Sequence, residues 1–255
     1  MDGIATTIDA FHRGRFHLVQ PANGAHRSGI DAMILAASVP PDFSGMLADL
    51  GAGAGAAAFA VLDRCPRAHA ILYEKSPLMA ACARASLTLE GNEHLKERAE
   101  TVEADVSLDG KAREEAGFPR DFYDWVIANP PFNDPKDRAT PNAEKAGAHV
   151  MDDELLSRWI KTACAIQRPG SGLSVIARPQ SIADILQAMR KRYGAVTVLP
   201  IHPRPSKPAI RVVVSGIKGN RKQMDLVAPL FLHDEDGGTK FSVRANAITN
   251  GRAML

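Results

Sequence analysis

Residues 48–59 read ADLGAGAGAAAF, and the fold turns on how this stretch is parsed. The run MLADL (46–50) is short and apolar and reads as a buried strand, while residues 56–64 are alanine-rich and helical. Between them Gly51, Gly53 and Gly55 let the backbone turn sharply and approach a ligand closely. The helix start that follows favours negative charge. Glycines alone are weak evidence, because a plain tight turn uses them too. What lies downstream decides.

AILYEK (70–75) reads as a second strand, followed by a helix over SPLMAACARASLTLEGN with Ser76 as N-cap, Pro77 at its first position and Gly91 past its end. ETVEADV (100–106) and DFYDWVIAN (121–129) are the third and fourth strands. An amphipathic helix spans 152–167 and stops at Arg168-Pro169-Gly170; GLSVIARP (172–179) is the fifth strand, and the helix 181–194 is closed by Gly194. AVTVLPIHP (195–203) and AIRVVVSGIKG (209–219) are joined by a turn too short for a helix, so they pair antiparallel. Strands alternating with helices predict an α/β fold, a Rossmann-like sheet of seven strands. It is mostly parallel, carries a C-terminal antiparallel hairpin, and has helices on both faces. We expect one domain over residues 1–255. Residues 1–45 form an N-terminal extension, 46–219 the core, and 220–255 a small β element pairing LVAPLFLH with TKFSVRA across Asp236-Gly237-Gly238.

In that frame the acids fall into register. Glu74 ends the second strand, where a carboxylate can accept from both hydroxyls of a ribose, and Asp105 ends the third, near an adenine edge. Asp49 precedes the glycines and can orient their loop or meet an ammonium group. Ligands of open α/β sheets bind at these carboxyl ends. Two ligands fit so far, a nicotinamide dinucleotide or S-adenosylmethionine.

ANPPFND (128–134) separates them. Asn129 closes the fourth strand on the edge that holds the glycine loop. Pro130 and Pro131 have no N–H and fix φ near −65°, so this stiff corner offers only acceptors: the Asn129 side-chain oxygen and the Pro130 carbonyl. Two converging acceptors suit an NH2 group, and Phe132 supplies a face for stacking a planar ring, worth about 1–3 kcal/mol for a base. An amide or aromatic amine is a poor nucleophile. Acceptors that hold both its N–H groups stabilise the positive charge growing as nitrogen attacks a methyl sulfonium. A dehydrogenase has no use for this tetrapeptide.

These motifs resemble class I S-adenosylmethionine-dependent amino-methyltransferases. More narrowly, QPANGAHRSGIDAMILAASV, DLGAGAGA, EKSP and NPPFND resemble the bacterial tRNA (adenine-N6)-methyltransferases that modify an adenine beside the anticodon of a valine tRNA. The likeness spans roughly residues 15–220. It implies that Asp49, Gly51, Ala52, Gly53 and Gly55 hold the methionine end of the cofactor. Glu74 with Lys75 takes the ribose side, Asp105 and Val106 the adenine, and Asn129, Pro130, Pro131 and Phe132 the target amine. Arg27 and Asp31 open a helix near the methionine end and the substrate mouth, where a capping or salt-bridge role is the alternative to ligand contact. The loop 133–150 is longer than in a minimal version of the family.

Composition sets the outer limits. Net charge is +2 in 255 residues, too mild to prove a nucleic-acid partner. Two acid-free stretches are basic, however. One carries Arg13, Arg15 and Arg27, the other Arg204, Lys207, Arg211, Lys218, Arg221 and Lys222, and they can gather on one face. His202, Arg204, Lys207 and Arg211 are the best candidates for contacting an RNA backbone. Three cysteines (Cys65, Cys82, Cys164) without metal-ligand spacing fit a reducing cytoplasm and no metal. No run is long and apolar enough to span a membrane. The expected partner is RNA, most simply tRNA, with the chain a monomer or homodimer. Protein glutamine amides, rRNA guanine N2 and small molecules, including hydroxyl acceptors, are the alternative substrates.

Overall fold

The computed structural model describes residues 4–22, 28–131, 153–235 and 237–255. Strands β1 (Thr6–Phe11) and β2 (Phe16–Pro21) form a separate antiparallel hairpin ahead of helix α1 (Ile30–Ala36). Alternation then begins: β3 (Gly45–Leu50), α2 (Ala56–Arg64), β4 (Ala68–Glu74), α3 (Pro77–Leu87), a single turn α4 (Glu93–Lys96), β5 (Ala99–Glu103), α5 (Gly110–Glu115) and β6 (Tyr123–Ala128). It continues through α6 (Asp153–Ile166), β7 (Gln167–Ala177), α7 (Ile182–Met189), β8 (Tyr193–His202) and β9 (Arg211–Lys218). Two short strands, β10 (Asp225–Leu226) and β11 (Leu230–Phe231), and helix α8 (Val243–Thr249) complete the chain.

The main sheet runs β10-β8-β9-β7-β6-β3-β4-β5, with β11 also on β8. β9 is antiparallel to both of its neighbours and the other pairs are parallel. Seven of these strands, the inserted antiparallel β9 among them, are those expected. β10 and β11 extend the sheet along the outer edge of β8.

The strands are apolar on both faces because helices cover both. Along β3, Leu47 faces the side packed by α1 and α2, whereas Ala48 and Leu50 face the side packed by α6 and α7. Phe59, Leu62 and Leu72 are fully buried on the first side; Tyr73, Tyr123 and Val126 on the second. A fully buried side chain of this size stabilises the fold by about 1.5–3 kcal/mol.

The N-terminal hairpin docks through side chains rather than strand pairing. Val19 N–H donates to Ser86 Oγ at 2.8 Å, and Asn92 bridges the backbone of His17 through both its amide atoms (2.9 and 2.7 Å). At its tight turn His12 is buried with Nδ1 2.6 Å from Asp63, which also meets Arg15 at 3.0 Å.

Three expectations change. The helix from Ile182 ends at Met189, because Arg190 turns extended and Lys191 takes φ +65°. Gly194 instead lies within β8, where the Asn220 backbone crosses so closely that a Cβ would overlap it. No hairpin joins LVAPLFLH to TKFSVRA. Leu230–Phe231 pairs with β8, and Ser242 caps α8 by accepting from Ala245 N–H at 3.2 Å while donating to Phe231 O at 2.7 Å. The basic stretches do not gather on one face either. Arg15 sits at the far end of α2 beside Asp63, whereas Arg204 and Lys207 lie in the β8–β9 turn at the opposite end of the sheet. Lys218, at the end of β9, pairs with Asp121 ahead of β6, again away from that turn.

Candidate active site

Strand register levels the site. Leu50 pairs with Tyr73 on one side and Ala128 on the other. The next residue of each strand is therefore Glu74, Gly51 and Asn129, three neighbours in one row at the carboxyl ends.

The three glycines have different reasons. Gly51 (φ +70°) packs under Trp159 of α6, and a Cβ there would overlap the indole ring. Gly53 (φ +58°) has room for a Cβ beside the Met79 methyl at 3.7 Å, so its constraint is conformational. Gly55 (φ +93°) is the N-cap of α2, and a Cβ would press into Leu72 at 2.7 Å. Gly51 N–H and Ala52 N–H both donate to Tyr73 O (2.8 and 3.0 Å), which folds the loop back over β4.

Glu74 anchors that loop from the next strand. Its two carboxylate oxygens accept from Gly53 N–H at 2.8 Å and Ser76 N–H at 2.7 Å. Ser76 caps α3 in turn, accepting from Met79 N–H at 3.4 Å, with Pro77 following as expected. Asp105 lies one strand further. Its Oδ2 meets Lys75 Nζ at 2.6 Å and its Oδ1 accepts from Ser107 N–H and Oγ–H (2.8 and 2.6 Å). Partial burial works to raise the Asp105 carboxyl, but Lys75 and the Ser107 donors outweigh it and hold the group below the usual carboxylate range. Val106 is buried and its carbonyl accepts from Thr162 Oγ1 at 3.0 Å, which ties the third strand end to α6.

Asp49 points into the α2 face. It is 2% exposed and accepts from Ala58 N–H at 3.1 Å. Burial lifts its carboxyl to about 7, the Ala58 bond opposes this, and the Glu74 charge adds to it.

At the Asn129-Pro130-Pro131 corner Asn129 is half-buried, Pro130 buried and Pro131 exposed. Pro130 shares a small apolar pocket with Ala128, Leu156, Trp159 and Val175. Phe132, the loop 133–150 and Arg27 lie outside the described residues. Asp31 and Arg211 are brought together as an ion pair at 2.7 Å, joining the first turn of α1 to the start of β9. Arg204 is held by the C-terminal segment, donating to the carbonyls of Asp234 and Gly238. Lys207 is exposed, with its backbone carbonyl 2.7 Å from His202 Nδ1.

Two residues at this edge escaped the sequence reading. Arg178 is half-buried just past the end of β7. Trp159 looked like any apolar residue of an amphipathic helix, and only the depth of the Gly51 turn reveals its position. Among the described residues no group of three or more His, Cys, Asp or Glu could hold a metal ion, and no helix is long and apolar enough to cross a membrane.

The site suits S-adenosylmethionine: a glycine cradle, a ribose-level carboxylate with its oxygens already among backbone amides, and a buried acid by the loop. Known proteins agree. The family model for the methyltransferase small domain matches residues 25–200. A Porphyromonas gingivalis tRNA1(Val) (adenine(37)-N6)-methyltransferase is 26% identical over 210 residues, covering 80% of this chain and 79% of that protein. A Citrobacter koseri ribosomal RNA small subunit methyltransferase C is 29% identical over 110 residues, 42% of this chain and 28% of its own length. Among solved structures, Atu636 of Agrobacterium tumefaciens, named a predicted O-methyltransferase, is 42% identical with a TM-score of 0.76 over 88% of this chain and 98% of its own. The T. thermophilus 16S rRNA N2 G1207 methyltransferase, solved with AdoMet and guanosine, shares the fold at 18% identity, with a TM-score of 0.55 over 84% of this chain and 50% of its own. The protein is an S-adenosylmethionine-dependent methyltransferase and belongs to the methyltransferase small domain family.

Proposed function

We propose that the chain methylates an exocyclic amine of a nucleobase in RNA, with adenine N6 of a tRNA as the leading substrate. The observation that carries this reading is the shared row of Glu74, Gly51 and Asn129, followed by the donor-free prolines. It sets an acceptor-only corner one strand from the cofactor loop. The names of the P. gingivalis and C. koseri relatives support an RNA base as the acceptor.

Bound in the cradle, S-adenosylmethionine supplies an electrophilic methyl: the amine lone pair forms the N–C bond, the C–S pair returns to sulfur, and the excess nitrogen proton leaves to water. The chain's part is binding and alignment. Glu74 fixes the ribose through its carboxylate, and Asp49 meets the methionine ammonium once it is ionised. Asn129 Oδ1 and the Pro130 carbonyl accept from the two N–H bonds of the target, drawing charge off nitrogen and aiming its lone pair. A duplex or stacked base must be turned out to reach this corner. Lys207 and the Arg211 side of the β8–β9 turn then lie on the same edge as the pocket, where phosphate contacts help to hold the RNA.

A second reading is methylation of a hydroxyl on a small molecule, which the name of Atu636 favours. Hydroxyl attack prefers a neighbouring base, and the acceptor row offers amide and proline carbonyls. The deciding measurement is transfer of labelled methyl to total tRNA, total rRNA, total protein and a small-molecule extract, with nucleoside mass spectrometry of the labelled RNA. N6-methyladenosine in the tRNA fraction is the expected product. Label confined to protein or small molecules would replace this reading.

A further inference from the structure

Trp159 is 9% exposed and sits on α6, the helix that returns from the acceptor corner to β7. Its ring covers Gly51 so closely that no side chain fits between them. The same residue lines the apolar pocket of Ala128 and Pro130. One rigid side chain thus touches the first glycine of the cofactor loop and backs the buried proline of the acceptor corner. Leu156, Ile160 and Leu173 pack around it in the same pocket. Trp125, the other tryptophan of the chain, lies on the opposite face of the sheet beside Phe43 and donates to Ser174 Oγ at 3.3 Å.

We propose that Trp159 is a positioning residue for methyl transfer, a spacer that sets the separation between the glycine loop and the Asn129-Pro130 corner. The inference rests on the reading of that corner as the acceptor site. It does not depend on which amine is accepted. A strand edge can bend by a fraction of an ångström. A packed indole with contacts on both sides stops that drift, and in-line displacement is sensitive to it: about 1 Å of misplacement can cost roughly 10²-fold in rate.

The test separates alignment from binding. In Trp159→Phe and Trp159→Leu, kcat at saturating S-adenosylmethionine should fall by about 10-fold and about 100-fold, because the ring shrinks in steps. The Kd for S-adenosylhomocysteine should stay within about 3-fold. Rates are measured on whichever acceptor the labelling assay identifies, so a wrong choice of substrate leaves the test intact. Unchanged kcat, or equal losses in kcat and cofactor affinity, would overturn the proposal. A second arm needs no acceptor. In Trp125→Phe, Trp159 is the sole tryptophan, and its emission should change on saturation with S-adenosylhomocysteine. A silent signal overturns the proposed spacer role at the cofactor loop even where the Leu variant fails to fold.

Discussion

The two halves of the carboxyl edge are built differently. On the β3-β4-β5 side the candidate acids are already engaged: Glu74 by the backbone amides of Gly53 and Ser76, Asp49 by that of Ala58, Asp105 by Ser107 and the Lys75 side chain. On the β6-β7-β9 side the corner is held by ring constraint and apolar packing, and Asp31 and Arg211 are paired with each other. On the proposed reading, one half is a preformed mould for the cofactor and the other an outline for the substrate. A cofactor pocket therefore reads through substitution of its neighbours, whereas an acceptor pocket changes with a few residues.

The contrast breaks most sharply at Asn129. Asn129→Ala should lower kcat by about 10²–10³-fold, comparable to removing one group that stabilises developing charge, while the Kd for S-adenosylhomocysteine moves by less than about 3-fold; isothermal titration beside initial rates checks both. Glu74→Ala is the mirror image. Two charge-assisted contacts disappear, so cofactor Kd should rise by about 10–100-fold, with kcat recovered at saturating cofactor.

Asp49 sharpens the comparison through pH. Its carboxyl stands near 7 in the folded chain, against about 3.9 when unfolded. If Asp49 meets the cofactor ammonium as proposed, the ionised form is the one that binds, so cofactor affinity should strengthen several-fold between pH 6 and pH 8. The linkage to stability runs the other way. A raised folded value means that this group's contribution is complete below about pH 4 and is lost as pH rises through about 7. Melting curves of the cofactor-free chain should show that decline, and Asp49→Asn should remove both trends. Glu74→Gln should move the affinity transition to lower pH, since the Glu74 charge helps to raise Asp49.

The smallest effect falls on the acceptor side. Lys207→Ala should reduce the slope of log affinity against log salt by about one for RNA. Arg204→Ala, by contrast, should lower melting temperature as well, because Arg204 ties down the C-terminal segment.

The sequence carried the mould further than the outline. The glycine loop and Ser76-Pro77 follow local rules of turn and cap, so Gly51 and Glu74 could be set at their strand ends from the sequence, and the short connection before β9 fixed its reversal in the same way. Residues 220–255 followed weaker ones: Ser242 caps a helix where a strand was expected, since TKFSVRA has the apolar content of either. The place of Gly194 inside β8 and the start of β7 depended on tertiary crossings at Asn220 and Tyr123, which no local pattern records. Trp159 and the Asp31–Arg211 pair were hidden for the same reason, because each joins elements far apart along the chain. The basic stretches misled because the second one runs the whole length of β9, which carries Arg211 and Lys218 to opposite edges of the sheet, while Arg15 lies beside Asp63 at the far end of α2.

The reversed strand β9 also governs how the molecule is assembled. It lies between β7 and β8, so β7 keeps an unsatisfied, apolar border until the chain has been made through Lys218. A ribosome releasing a product truncated before that point would deliver a nearly complete cofactor cradle with a sticky flank. The strand that joins β7 to β8 thus comes after both of them, and protection from self-association comes with it.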